Sequence, residues 1–273
     1  MAASAVPGAP LFFDLSSLAL TVALVATIVG TTVAGILLGR TLHSHHDKMR
    51  ESYGVLQGAL LGFMGLIMAF GLSLALGRAE DRRAALVGEA NAIGTTYLRA
   101  QTLPEPIRSQ SLALLRRYAD NELLLSHFVP GSAGAVRVEA SADDLQRQLW
   151  SLGATAMGAA PVASAPRLYV ESLNNTIDAQ GVRVAALSNR VPTTVLMLEV
   201  LGAAVALGLL AVYLAILGRG VVPVLVAAAL VSAILLVTFD LDRPTRGFIR
   251  DPTTPLTQLI SSMAEPPAAA PPP

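Results

Sequence analysis

The side chains in this sequence that could carry chemistry are few, and their spacing limits what they can do. Glu89, Asn91 and Arg99 fall within one predicted helix. They could hold a ligand, although buried polar groups between packed helices usually satisfy one another. Asn174 and Asp178 stand one helical turn apart, a spacing that offers a cation two oxygen ligands or lets the two side chains pair. Two ligands from one helix are far short of a full shell, so pairing is the expectation. Glu199 lies one to two turns into an apolar run. An acid inside a membrane is a functional candidate, while its nearness to Pro192 also suits the membrane interface. His43, His45, His46 and Asp47 crowd one connector, without the cysteine or further carboxylate of a closed metal site. Asp240 and Asp242, with Arg243, close another apolar run. Acids there oppose the helix dipole by roughly 0.3–1 kcal/mol each and call for fixed partners. Arg78, Arg82, Arg83 and Arg190 lie near membrane ends on the same side and are the expected partners.

No Ser/His/Asp order, phosphate-cradling glycine loop or cysteine is present. The expectation is therefore a protein that is not an enzyme, with no metal and no cofactor.

The elements that must position these residues are helices in a membrane. Apolar residues make up 53% of the chain and charged residues 14%, whereas soluble domains carry nearer 25% charge. Net charge is zero, which gives no field for nucleic acid. The organising stretch runs from Gly54 to about Leu103. Val55 to Gly77 is uncharged and long enough to span a bilayer, and Arg78 onward turns charged without a proline or turn cluster between. One continuous helix is expected to leave the membrane and continue in water. Its membrane half carries a ribbon of small residues, Gly54, Gly58, Gly62, Gly65, Ala69, Ser73 and Gly77, suited to close helix approach. A second face is a bulky seam that includes Phe63, Ile67, Phe70 and Leu74.

Further spans are expected at Leu15–Gly39, Thr193–Gly218 and Gly220–Phe239. Between spans two and three, helical phase predicts soluble helices over 106–128, 142–157 with Trp150 as its largest anchor, and 167–191. The predicted fold is an all-α membrane protein: four transmembrane helices as two hairpins, with an all-helical soluble domain between spans 2 and 3. The predicted divisions are residues 1–77, the soluble domain 78–192, the second membrane pair with the Asp-Leu-Asp-Arg-Pro motif 193–250, and a disordered Pro/Ala-rich tail 251–273. Eight arginines flank the spans on the domain's side (Arg78, Arg82, Arg83, Arg183, Arg190, Arg243, Arg246, Arg250), against Arg40, Lys48, Arg50 and Arg219 on the other. The positive-inside rule then puts the domain and both termini in the cytoplasm of a multi-pass inner (plasma) membrane protein.

One ordered set of residues resembles a known family. Arg83, the block Glu89-Ala90-Asn91-Ala92-Ile93-Gly94-Thr95, Leu98-Arg99, Leu103-Pro104 and Arg116-Arg117-Tyr118 begin it. Leu173-Asn174, Asp178, Arg190, Val191-Pro192 and Asp240-Leu241-Asp242-Arg243-Pro244 with Gly247 complete it. This pattern is similar to the bestrophin-like family of bacterial membrane proteins, which has no settled activity. The resemblance implies likeness to bestrophins, oligomeric anion channels with four spans and a cytosolic helical domain. No pore motif of true bestrophins is matched residue by residue.

Two functions are expected from this. One is a homo-oligomeric ion channel, for anions by resemblance, with Phe63, Ile67, Phe70 and Leu74 as a dewetting constriction; the same seam could instead pack on the other spans. The other is a non-conducting scaffold or sensor whose soluble helices bind a cytosolic protein. The expected partners are the lipid bilayer and further copies of the chain.

Overall fold

In the computed structural model, residues 16–41, 50–218 and 221–267 are described; the histidine connector (His43, His45, His46 with Asp47) lies outside them. Eight α-helices occur among the described residues, and no strand. They are α1 (Ser17–Thr41), α2 (Arg50–Ala100), α3 (Ile107–Leu125), α4 (Ala133–Ala159), α5 (Ser164–Ser188), α6 (Thr193–Ile216), α7 (Val222–Leu241) and α8 (Thr254–Met263). Four helical stretches are long and apolar enough to cross a membrane; they contain α1, the first half of α2, α6 and α7. The expected long helix is present as the unbroken 51 residues of α2, because nothing between Arg50 and Ala100 interrupts the i→i−4 ladder.

The chain forms two compact units, Met1–Arg78 with Arg190–Ile249, and Ala79–Asn189 with Arg250–Pro273. In the first, α1 packs on α6 and α7. Small residues set that contact. A Cβ added to Gly35 would strike Gly208 O and Ala211, and one on Gly39 would strike Ala215 and Val212 O. Close backbone approach of this kind is how helices pack in lipid, where apolar side chains gain little by leaving the bilayer. The ribbon on α2 is not used this way: Gly58, Gly62 and Gly65 are exposed, and a Cβ there would meet no atom within 4 Å.

The face of α2 that does pack is a third one, Gln57, Met64, Met68, Gly71 and Ala75. Gln57 Nε2 donates to Ala206 O at 3.0 Å, and Met64 fills the space left by Gly202 of α6. The seam stays outside the chain's own packing. Phe63 is 59% and Phe70 67% exposed, with Ile67 and Leu74 half-buried.

In the second unit Ile93, Tyr97, Leu103, Leu115, Tyr118, Leu149, Tyr169 and Leu173 form the centre of one apolar core. Two expectations are corrected here. The stretch 251–273 is not a disordered tail throughout, since Thr254–Met263 is helix α8, with Leu256 and Met263 buried in that core. Its apolar residues Leu256, Leu259, Ile260 and Met263 recur at helical spacing, a signal hidden by the prolines on either side. Trp150 is 45% exposed rather than an anchor; Leu145 and Leu149 fill the core from α4. That helix also begins nine residues earlier than expected, where Ser132 caps it by accepting the Ala135 N–H.

Candidate functional sites

Two clusters of polar side chains and one lone buried acid are fixed by the fold. The first lies in the second unit, where α2, α3 and α5 meet. Arg183 Nη1 donates to Glu89 Oε2 at 2.6 Å and to Glu122 Oε2 at 3.1 Å; Nη2 donates to Glu122 O and to Ser126 Oγ. Both acids are fully buried and Arg183 is 3% exposed. One cation thus faces two carboxyls, and Oε1 of each acid has no hydrogen-bond partner among the described residues. Burial raises the Glu89 carboxyl above its ordinary value, against the pull of Arg183. Burial, then repulsion from Glu89, pushes Glu122 up to about 8, with Arg183 again opposing. The same burial and the two neighbouring acids push the Tyr118 phenol up. The arrangement sets one cation against two acids and ties three helices together through Arg183. Glu89 was singled out in the sequence; Glu122 and Arg183 were not linked to it, because helical phase gives faces but not which faces meet.

The second cluster is the Asp240-Leu241-Asp242-Arg243-Pro244 motif at the end of α7. Asp240 Oδ1 accepts the Phe248 N–H at 2.8 Å and Oδ2 the Ile249 N–H at 2.7 Å. A Cβ at Gly247 would sit 2.7 Å from Asp240 Oδ1, so only glycine leaves room for this clasp. Asp242 Oδ1 accepts the Val191 N–H at 2.9 Å, just ahead of Pro192 and α6. The two acids therefore hold the chain at the entry to α6 and the exit from α7 through backbone donors. Burial and then the neighbouring Arg246 lower the Arg243 guanidinium from its ordinary value; Asp240 raises it and Arg190 lowers it further. Of the other arginines named from sequence, Arg82 Nε meets Asp251 Oδ2 at 2.8 Å, Arg99 Nη1 donates to Leu168 O, and Arg83 is exposed. Asn91 is exposed, and Asn174 Nδ2 donates to Asp178 Oδ2 at 3.0 Å on an exposed face, the pairing expected of them. Arg116, Tyr97 and α8 make a further contact: Arg116 Nη2 and Tyr97 OH both donate to Met263 O.

The lone acid is Glu199, fully buried on α6. A Cβ at Gly71 would fall on its Oε1, so the carboxyl occupies a notch that the glycine leaves in α2.

These sites and the helical frame can be compared with known proteins. No characterised protein matches the chain by sequence. By structure, the chain is similar to a bacterial bestrophin homolog from Klebsiella pneumoniae, whose crystal structure carries one point mutation. The two share 13% identity over 86% of this chain and 96% of that one, with a TM-score of 0.58, a likeness of fold. A family profile described as the Bestrophin-like domain matches residues 22–256. Matched over most of its length, the chain is a multi-pass membrane protein that belongs to the Bestrophin-like family.

Proposed function

We propose that the chain is the subunit of a homo-oligomeric ion channel, with the Phe63, Ile67, Phe70 and Leu74 seam of α2 facing a central pore. The observation that carries this reading is the seam itself. Two large aromatic side chains lie exposed along a helix whose packing face is elsewhere, so they are available to line a lumen once copies assemble. A ring of such residues makes a constriction that gates by dewetting. The ribbon Gly58, Gly62, Gly65 and Ala69, open in the single chain, offers the close approach that neighbouring copies would use. The fold shared with a bestrophin homolog supports the same reading. The Arg/Lys count supports a cytoplasmic second unit, and the two membrane hairpins remain part of this proposal.

The chain has no cysteine, so single cysteines can be introduced without background. Phe63→Cys, Ile67→Cys, Phe70→Cys and Leu74→Cys proteins in liposomes should each lose ion flux when a charged thiol reagent is added from the water. Cysteines at exposed Leu66 or Leu76, off the seam, should not. Equal insensitivity of all six would remove the seam from the pore.

The scaffold reading draws on one observation, the 45% exposed Trp150 beside Asp143, Gln146, Arg147 and Ile177 on α4 and α5. Flux from purified protein alone separates it from the channel.

A further inference from the structure

Glu199 is the one acid buried within the apolar spans of the first unit whose two oxygens both lack a hydrogen-bond partner among the described residues. Its surroundings are apolar: Met68, one turn from Gly71, and Ala203, one turn from Glu199, belong to the same buried cluster. An ionised carboxylate with no donor in such a place is costly, whereas a protonated one leaves a single hydroxyl to satisfy. The place is nevertheless shaped for it, since at Gly71 any side chain would collide with the carboxyl.

A cation stands in line with this notch. Gly71, Ala75 and Arg78 occupy one face of α2 at spacings of four and three. Ala75 between them is fully buried and small. Arg78 is the first charge after the apolar stretch, and its Nε is buried without a hydrogen-bond partner among the described residues. It lies about 10 Å along the axis from Gly71, and helix side chains lean toward the N-terminus, which aims Arg78 back at the notch.

Other charges are further off or already engaged. Of the elements packed on α6, α1 brings only Arg40, in its last turn, and α7 brings only Asp240, whose oxygens hold Phe248 and Ile249. On α2, Glu80, Asp81, Arg82 and Arg83 lie beyond Arg78, with Arg82 on Asp251, while Tyr53, Glu51 and Arg50 lie about five turns away; α6 itself adds only Tyr213. Arg190 precedes α6, and Arg243 and Arg246 follow α7.

We infer that Glu199 is a proton-binding site of the membrane unit: protonated, its carboxyl rests in the Gly71 notch, and on losing the proton it leaves the notch along Ala75 to pair with Arg78. The ligand is a proton, taken up or released at one carboxyl oxygen. The consequence is a change in how α6 seats on α2, the helix that carries the seam. Pairing limits the cost of the charge, because a buried ion is tolerated when a partner meets it.

The test is infrared difference spectroscopy of the full-length protein in liposomes, titrated from pH 5 to 9 and reading the carbonyl band of a protonated carboxyl. The expected result is a band that disappears as pH rises and is absent from Glu199→Gln. In Arg78→Gln, which deprives the ionised form of its partner, the band should persist to a pH at least one unit higher, while Arg78→Lys should stay near wild type. Gly71→Ala fills the notch, so there the band should vanish at lower pH. This variant keeps Glu199 and serves as the second reading if Glu199→Gln does not assemble. No Glu199-dependent band at any pH would overturn the site. Identical titrations in wild type and Arg78→Gln would overturn the pairing. Because the band reads the carboxyl and not conduction, either result stands apart from the channel proposal.

Discussion

Replacing Glu122 by Gln takes one of two carboxyls away from a buried site with a single cation, and the effect should depend on pH. In the folded second unit Glu122 keeps its proton until about pH 8, raised there by burial and by Glu89; with the helices parted it would lose it near 4.5. The stability this adds is fully present below about pH 4.5 and is lost as pH rises toward 8, because the folded state binds the extra proton throughout that window. At 1.36 kcal/mol per unit, the loss is on the order of 4–5 kcal/mol at most. Gln keeps the shape: its amide oxygen can accept from Arg183 and its amide nitrogen can donate to Glu89, leaving a neutral Arg183–Glu89 pair. Glu122→Gln should thus be more stable than wild type at pH 8.5 and decline less steeply than wild type between pH 5 and 8.5, where only Glu89, still raised by burial, is left to titrate. Thermal unfolding followed by fluorescence of Trp150, the one tryptophan and part of this unit, reads the effect. Wild type and Glu122→Gln falling in parallel with pH would refute the reasoning. So would a variant markedly less stable at pH 8.5, which would mean that Glu122 serves as a carboxylate there.

Gly247→Ala should displace the Asp240 carboxylate from its two N–H donors and cost about 2–4 kcal/mol, read as a lower melting temperature of the solubilised protein. Leu256→Ala should cost about 2–5 kcal/mol, whereas exposed Glu265→Ala should be neutral in the same melt, since α8 is part of the core. Gly35→Leu should prevent α1 from seating on α6 and abolish folded yield. Gly62→Leu should leave the single chain folded and reduce only its assembly, as counted by native mass spectrometry. A reporter inserted within 130–134 should be active only if it works in the cytoplasm; periplasmic activity would reverse the orientation.

Much of the frame could be read from the sequence because lipid enforces it: uncharged runs of about 20 residues are recognisable without a partner. The same reasoning carried α2 through Arg78 into its polar half, as no helix breaker intervenes. What could not be read is which faces meet. The ribbon and the seam of α2 are each uniform in size and stand out in a list. The face that packs on α6 mixes Gln57, Met64, Met68, Gly71 and Ala75 and follows no single rule, because each residue answers one feature of its neighbour. Gly71 is legible only once Glu199 is placed against it.

The polar sites divide the same way. The rule that acids are unfavourable at a helix C-terminus marked Asp240 and Asp242 as needing fixed partners. It could not show that the backbone N–H groups of Phe248, Ile249 and Val191 are among those partners, since a main chain carries the same donor at every position but proline. Glu89 stood out with Asn91 and Arg99 as a polar residue of one helix. Its partners Glu122 and Arg183 come from helices 33 and 94 residues further along the chain, beyond what local periodicity reaches. Trp150 misled because size was read as burial, and large aromatics at interfaces or grooves break that association.

Ion flux through purified protein tests the central claim most directly. Wild type and Phe70→Ala, each shown to be folded and oligomeric, would be reconstituted into liposomes loaded with a halide-sensitive dye. The channel account predicts flux from wild type and faster flux or leak from Phe70→Ala, whose smaller side chain widens the constriction. No flux from either protein would contradict it and leave the chain a non-conducting member of its family.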